Sequence, residues 1–210
     1  LIARNVNSLK EISKKLNCPY SVIDVLDIEG LKKCLVEIKE DVFGLVYCVG
    51  SINIKPLHLA SETEFINSYK LNTLGAITSI KSLLSNLKKN NGSILLFSSV
   101  AVQQGFANHS IISSAKGALE ALTLSLAAEL SPEIRVNCIA PSLTESKISE
   151  HLISNEVIKK AIQAMHPIPK LGNGNDHSKL ASFLLSKNNK WITGQVIHVD
   201  GGRSTLRKKD

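Results

Sequence analysis

Lys116 lies near the start of a long apolar stretch that is rich in small residues, 109–130 (HSIISSAKGALEALTLSLAAEL). In a helix, side chains four positions apart share a face, so Lys116 would share its face with position 112. That position holds Ile112, which cannot donate a proton. The neighbouring side chains that could are His109, one turn before Ile112, and Ser113. Histidine is the better general acid of the two, although a histidine at a helix start is commonly only a polar surface residue.

Small and polar residues follow most of the apolar runs of this chain. In sheets of parallel strands, ligands bind at the carboxyl ends of the strands. If these runs are strands, the residues after them form one candidate binding edge, at 50–51, 98–99, 141–144 and 200–202.

Short apolar runs predict strands at 20–24, 42–49, 93–99, 134–140 and 195–200. They are apolar on both faces and alternate with helical stretches, a pattern typical of a parallel sheet covered by helices on both sides. The sequence therefore predicts an α/β fold, a Rossmann-like doubly wound parallel sheet. We expect one domain over 1–210, because no repeat or linker interrupts the pattern.

The helices are predicted at 8–16, 28–40, 62–87, 110–130, 148–164 and 177–187. Ser8 with Glu11 and Ser61 with Glu64 have the spacing of capping boxes. Pro132 should end the helix over 110–130, since proline cannot continue it.

Composition narrows the function classes. Apolar residues make up 43% of the chain and aromatic residues 4%, so Ile, Leu, Val and Ala must build the core. No apolar run approaches the ~20 residues that span a bilayer, and no leader pattern is visible, so we expect no membrane association and a cytoplasmic protein. The four cysteines lack metal-ligand spacing, and we expect no metal site. Cys48 and Cys138 lie inside strand-like runs, which predicts buried free thiols.

The net charge of +7 raises the alternative of a nucleic-acid-binding domain. Against it, the charge is nearly all lysine spread along helix faces, with four arginines and no basic run interleaved with aromatics. This favours a solvated lysine surface, and we expect no nucleic-acid partner. The tail at 203–210 (RSTLRKKD) is predicted to be a frayed terminus.

Several of these stretches together resemble the short-chain dehydrogenase/reductase family. Ser99 stands 17 residues before Lys116, and Asn72 lies in YKLNTLGA. IRVNCIAPSLT and WITGQVIHVDGG follow in the family's order, and the last is the most specific. The resemblance covers essentially the whole chain and implies a nicotinamide-dependent oxidoreductase that acts on a small-molecule carbonyl or alcohol.

The resemblance also implies roles for individual residues. Ser99 would hydrogen-bond the substrate oxygen, Asn72 would hold a water in a proton relay, and Lys116 would bind the nicotinamide ribose. The family's general acid is a tyrosine four residues before the lysine, the position that Ile112 takes here. The proton would then have to come from His109, water or the substrate. The alternative is a catalytically silent relative that acts as a nucleotide-binding or oligomerisation module.

Other positions match or depart from the family's cofactor contacts. The family's Asn-Asn-Ala-Gly after its fourth strand is YCVG at 47–50, so Gly50 is kept and a bracing asparagine is predicted to be missing. Its Pro-Gly near the nicotinamide corresponds to Pro141 and Ser142, with Thr144 close behind. Further residues match the adenosine end, where an arginine favours NADP(H) over NAD(H): Arg4, Asp24 and Val25.

The family's glycine-rich phosphate loop is absent from this sequence. The resemblance places residues 1–3 at the end of the second strand, so the first strand, its loop and its helix would precede them. We therefore expect residues 1–210 to be the larger part of a longer polypeptide, with cofactor binding weakened if the loop is truly lost. The resemblance further implies a homodimer or homotetramer built by the helices predicted at 62–87 and 110–130.

Overall fold

A computed structural model describes residues 1–207 of the chain. Two parallel sheets form its centre. Strands β1 (Ile2–Ala3) and β2 (Ser21–Val22) pair with each other, and β3 (Gly44–Tyr47), β4 (Ser93–Phe97), β5 (Arg135–Pro141) and β6 (Val196–Val199) form a second sheet in that order. All pairs are parallel, as the sequence predicts.

Within residues 1–207, eight α-helices connect and cover these strands. They are α1 (Val6–Leu16), α2 (Ile28–Val36), α3 (Glu62–Tyr69), α4 (Gly75–Lys89), α5 (Ser110–Leu130), α6 (Glu150–Ile153), α7 (Glu156–Ala164) and α8 (Gly174–Leu185). The predicted helix over 62–87 is interrupted by a π-helical stretch, Lys70–Leu74, that joins α3 to α4.

Helix ends follow the local sequence, with one correction. The capping box of Ser61 and Glu64 is confirmed at the start of α3. The one predicted for Ser8 and Glu11 is wrong, because α1 begins two residues earlier. Asn5 caps it instead, and its side-chain oxygen accepts the backbone N–H of Ser8 at 3.0 Å.

Alternate residues of β4 pack on opposite faces of the sheet. Ile94 and Leu96 join the main core with side chains of α4 and α5. Leu95 packs on the other side with Ile139 and with Leu184 of α8. Because both faces are covered, all residues from Ser93 to Leu96 are buried.

The face of β3 that carries Gly44, Val46 and Cys48 is exposed. The prediction that Cys48 is buried is therefore wrong, whereas Cys138 in β5 is buried as expected. The reason is local: Cys48 lies just after the end of β3, beyond its last paired residue, Tyr47. β3 also pairs with a strand on only one side, β4, among these residues.

Helix α5 is long and apolar enough to cross a membrane when length and composition alone are considered. No run of that kind was expected from the sequence. The same length and hydropathy are found in helices at the core of a folded domain, and α5 packs against β5 and carries the buried side chains of Lys116 and Glu120.

Candidate functional site

The side chains of Asn72 and Lys116 converge on Gly50, just after the end of β3. A Cβ atom placed on Gly50 would lie 2.9 Å from Asn72 Oδ1 and 3.1 Å from Lys116 Nζ. Asn72 is fully buried, and its Oδ1 has no hydrogen-bond partner among residues 1–207. Polar atoms buried in this way are nearly always satisfied, so an unpaired one indicates a place for a missing partner.

The π-helical stretch fixes the position of Asn72. Asn72 Nδ2 donates to the Ser68 carbonyl at 2.9 Å, which leaves Oδ1 directed elsewhere. The next residue, Thr73, donates its hydroxyl to the carbonyl of Ala115 at 2.9 Å and so ties this stretch to α5. π-Helical turns inside α-helices occur frequently at functional sites.

Tyr47 braces the same stretch against the sheet. Its hydroxyl, at the end of β3, donates to the Leu71 carbonyl at 2.6 Å. The side chain is buried, and burial raises the pKa of the phenol well above its usual value. The Tyr47 hydroxyl therefore ties the end of β3 to the π-helical stretch.

Lys116 is buried, with 8% of its surface exposed. Its Nζ donates to the Phe97 carbonyl at 2.8 Å, one acceptor for a group that carries three protons when charged. Burial lowers its pKa to about 8, because desolvation disfavours the charged form. The amine therefore has donors to offer to a ligand and titrates near neutral pH.

The two serines after β4 face different surroundings. Ser98 Oγ donates to Glu120 Oε1 at 2.6 Å, inside the protein. Ser99 is partly exposed, and its Oγ accepts the N–H of Ala101 at 3.2 Å. Because accepting that bond leaves its own hydrogen free, Ser99 can donate to an oxygen of a bound molecule.

Ile112 lies on α5 one turn before Lys116 and is 5% exposed. Ser113 donates its hydroxyl to the Ala101 carbonyl at 2.8 Å, so it has no free proton to give. His109 caps the start of α5, with Nδ1 at 2.7 Å from the Ala107 carbonyl. A carbonyl only accepts, so Nδ1 carries the proton, and His109 would need a second proton on Nε2 to act as an acid.

Residues 141–144 form a hydrogen-bonded turn at the end of β5. The Pro141 carbonyl accepts the N–H of Val100, the residue after Ser99, at 3.0 Å. Ser142 Oγ lies 2.8 Å from His166 Nε2, and Thr144 Oγ1 lies 2.8 Å from His177 Nε2. The turn is therefore held by two histidines that lie 24 and 33 positions further along the chain.

The residues predicted at the adenosine end lie at β1 and β2. Arg4 Nη1 is 3.5 Å from Asp24 Oδ2, and both side chains are well exposed. Such a pair contributes about 0–1 kcal/mol, so it can open for a competing anion. Val25 has 5% exposure and belongs to the core cluster, so its side chain packs inside the protein.

Sequence reasoning missed several residues that shape this edge. Tyr47, His166 and His177 act through contacts between distant parts of the chain, and their own neighbours in sequence give no signal. The prediction that 203–210 is a frayed terminus is wrong for Arg203. Its guanidinium stacks on Phe106, with Cζ 4.6 Å from the ring centroid. The run DGGR directly after a strand could have signalled an ordered turn. Residues 208–210 of that tail lie outside the described part of the chain.

A family model described as enoyl-(acyl carrier protein) reductase matches residues 2–204 of the chain. The chain belongs to the short-chain dehydrogenase/reductase family. The chain is 33% identical over 148 residues to dehydrogenase/reductase SDR family member 4 of Sus scrofa, a match that covers 70% of the chain and 53% of the relative. It is 35% identical over 161 residues to a tropinone reductase homologue of Arabidopsis thaliana, covering 75% of the chain and 61% of the relative.

A solved structure described as ElxO with NADP bound is similar to this family member, with a TM-score of 0.88 and 27% identity. The likeness covers 98% of the chain and 88% of the solved one. The Rossmann-like parallel fold predicted from the sequence is therefore confirmed. The chain spans between half and two thirds of the length of the two curated relatives.

Proposed function

We propose that this protein is an NADP(H)-dependent oxidoreductase that moves a hydride between a nicotinamide and a small carbonyl or alcohol. The observation that carries the proposal is the pair of unfilled polar groups at Gly50: the unpaired Oδ1 of Asn72 and the Lys116 amine with one acceptor. Ribose hydroxyls and an ordered water are groups that would satisfy both. Tropinone reductase homologues and an NADP-bound relative give the reaction class its support.

These residues fit the nicotinamide end of the cofactor. Lys116 would hold the ribose, Asn72 would order a water beside it, and the absence of a side chain at Gly50 leaves room for close approach. The bound cofactor would supply the hydride. Ser99 would donate a hydrogen bond to the substrate oxygen and so stabilise the negative charge that develops there. Pro141, Ser142 and Thr144 would border the nicotinamide.

At the other end, Arg4 would exchange its exposed pairing with Asp24 for the 2′-phosphate that distinguishes NADP(H). A glycine-rich phosphate loop is absent from the sequence, so residues 1–210 supply fewer phosphate contacts than the family's full set. We propose that a further parallel strand occupies the space between β1 and β3, and that residues 1–210 form one incomplete cofactor-binding domain. The unpaired edge of β3 supports this, since open strand edges in a core are unfavourable.

We also propose that the protein forms a homodimer or homotetramer through α3 and α5. The two helices pack together, and both keep large apolar side chains exposed, namely Ile66, Tyr69 and Leu124. Size-exclusion chromatography with light scattering tests this directly, and a monomeric mass would contradict it.

Thermal unfolding with and without NADPH tests the nucleotide site. A nucleotide at 100 times its Kd adds about 2.7 kcal/mol, a rise in Tm of about 5–10 °C for a protein of this size. We expect a larger rise with NADPH than with NADH, and its loss in Lys116→Met. Lys81→Met, which removes an exposed lysine of α4, is the matched control. A rise that survives Lys116→Met would contradict the assigned ribose contact.

The second candidate function is a catalytically silent relative, and the buried Ile112 favours it. The variant Ile112→Tyr places a phenol one turn before Lys116, and a positioned acid contributes about 10²- to 10⁴-fold in rate. We expect NADPH-dependent carbonyl reduction to rise by that order in Ile112→Tyr and not in Ile112→Phe. If wild type is already active and Ile112→Tyr adds nothing, the proton comes from elsewhere, and His109→Ala then tests the histidine.

A further inference from the structure

Arg203 follows the turn after β6 and is held in place by its surroundings. Asp200 accepts the N–H groups of Gly202 at 2.9 Å and Ser204 at 2.8 Å, as well as the Ser204 hydroxyl. Gly201 and Gly202 both have positive φ, which lets the chain turn sharply here. The Arg203 carbonyl accepts Gln104 Nε2 at 3.2 Å, so the turn is joined to the loop that follows Ser99.

The orientation of the Arg203 guanidinium is fixed by its neighbours, which are weak hydrogen-bond acceptors. One face lies over the ring of Phe106, with Cζ at 4.6 Å from the centroid. Nη1 lies 3.5 Å from Ser142 Oγ, and Nη2 lies 3.4 Å from the Met165 sulfur. A guanidinium has five N–H donors, and a hydroxyl at 3.5 Å and a thioether satisfy little of that capacity.

Within residues 1–207, no carboxylate lies at ion-pair distance from this cation. The carboxylate of Asp200 is occupied by its own turn. Lys170, the nearest lysine of the adjoining cavity, pairs with Asp176 at 3.0 Å. Burial lowers the pKa of the Arg203 guanidinium, and the attraction of the Asp200 carboxylate offsets only part of this effect, so the group is partly desolvated without a direct ion pair.

The position of Arg203 places this charge at the reacting edge. Ser142, which it touches, directly follows Pro141, and the Pro141 carbonyl holds the backbone next to Ser99. Phe106, on which it stacks, belongs to the same loop as His109. Both supports of the guanidinium thus come from the loops that follow β4 and β5, close to Ser99, whose hydroxyl is the proposed donor to the substrate.

We propose that Arg203 binds the carboxylate of the substrate, so that the substrate is an oxo acid or the matching hydroxy acid. The inference rests on the proposed function, because it names the substrate class of that site. A planar guanidinium matches a carboxylate with two parallel hydrogen bonds. A single negative charge suits the site better than a phosphate dianion, since the Asp200 carboxylate already acts on the Arg203 guanidinium and would repel a second negative charge.

Binding of small oxo acids to the full chain tests this without requiring turnover. The probes are pyruvate, acetoacetate and levulinate, each beside its methyl ester, with Kd measured by ligand-observed NMR in the presence and absence of NADPH. We expect at least one acid to bind wild type about tenfold or more tightly than its ester, the effect of a charge-assisted hydrogen bond. Arg203→Gln should lose this preference, and Arg203→Lys should keep part of it.

Arg207→Gln is the matched control, since it removes the same charge from an exposed position four residues later. Equal binding of acids and esters by wild type, or equal losses in Arg203→Gln and Arg207→Gln, would overturn the proposal. Tighter binding of inorganic phosphate than of any acid would overturn the carboxylate assignment. Because Arg203→Lys retains the charge, it separates lost recognition from a folding defect in Arg203→Gln. Acid binding by a chain that NADPH does not stabilise would support Arg203 and contradict the oxidoreductase.

Discussion

The sheet formed by β3 to β6 and the pair formed by β1 and β2 differ in how fully their side chains are covered. In β4, four consecutive residues are buried, and in β5 five are. No residue of β1 or β2 is buried. The atoms that converge at Gly50 come from the first region, whereas Arg4 and Asp24 come from the second. On the proposed assignment, the nicotinamide end of the site is tightly fixed and the adenosine end is loosely held.

This difference teaches that one fold can keep part of a site rigid without the rest. The Lys116, Asn72 and Tyr47 side chains are each held by a hydrogen bond to a backbone carbonyl. Arg4 and Asp24 are held by one exposed ion pair and a local turn. A bound nucleotide would therefore order the β1–β2 region more than the β3–β6 region.

The largest expected effect comes from removing core volume in one region and then in the other. Leu96→Ala in β4 should lower the free energy of unfolding by about 2–5 kcal/mol, because it leaves a cavity in the main core. Leu9→Ala removes the same atoms from α1, which packs mainly against β1 and β2 within residues 1–207. We expect it to loosen that region alone.

Hydrogen exchange read by mass spectrometry distinguishes the two outcomes. Leu9→Ala should speed amide exchange in α1, β1 and β2 while the amides of β4 and β5 keep their protection. Uniformly faster exchange in both variants would show that the two regions unfold as one unit. A cooperative, high-temperature melt of the chain would likewise contradict the proposal that a strand is missing between β1 and β3.

A methyl group at Gly50 should disturb the nicotinamide end next most strongly. In Gly50→Ala the new Cβ would lie 2.9 Å from Asn72 Oδ1 and 3.1 Å from Lys116 Nζ. We expect a loss of about 1–3 kcal/mol in stability, together with loss of the NADPH-induced rise in Tm. Gly105→Ala is the control, because a Cβ there meets nothing within 4 Å. A Gly50→Ala variant that still responds to NADPH would contradict the assigned site.

Lys116 should leave a signature in the pH dependence of stability. Burial lowers its folded pKa to about 8 from 10.5, so between these values the unfolded chain binds more protons than the folded one. The contribution of Lys116 to the free energy of unfolding therefore rises as pH increases from about 8 to 10.5. Its slope stays below the ~1.4 kcal/mol per pH unit of one full proton.

Denaturant unfolding of wild type and Lys116→Met across this pH range isolates the effect. Burial raises the pKa of the Cys138 thiol to about 12, and the difference between the two curves leaves only the part of its contribution that depends on its charge interaction with Lys116. We expect the free energy of unfolding of wild type to increase relative to that of Lys116→Met as pH rises. A flat difference would mean that the folded and unfolded lysines titrate alike.

The smallest expected effect is that of Tyr47→Phe. The change removes the hydroxyl that donates to the Leu71 carbonyl, a hydrogen bond that contributes about 0.5–1.5 kcal/mol to stability. Tyr69→Phe, at an exposed position of α3, should have almost no effect on thermal unfolding. If the two variants unfold alike, the hydroxyl of Tyr47 does not brace the π-helical stretch.

Local patterns predicted most of the fold. The five strand runs and the helix over 110–130 are confirmed, because short apolar runs and an apolar stretch ended by proline are properties of neighbouring residues. The start of α1 was misplaced since Asn5 and Ser8 are both acceptable caps by type. The π-helical interruption at Lys70–Leu74 was not predicted, and the hydrogen bond from Tyr47 that holds it comes from more than 20 residues away.

The candidate site divides in the same way. The order and spacing of Asn72, Ser99 and Lys116 indicated the family, and the sequence placed them at strand ends or on neighbouring helices. Which of two adjacent serines is free to bind was decided by Glu120, which accepts the hydroxyl of Ser98. Arg203 was misjudged because its partners, Phe106 and Ser142, lie 97 and 61 positions away.

The sequence by itself determined the alternation of strands and helices, the family, and the isoleucine four residues before Lys116. Those are consequences of residue type and local spacing. Only the tertiary structure decided that Asn72 Oδ1 and Lys116 Nζ meet at Gly50, that Tyr47 ties β3 to the π-helical stretch, and that Arg203 has no ion-pair partner among residues 1–207. Each of these depends on distances between segments that are far apart in the chain. Those distances are set by the packing of the helices on the sheet.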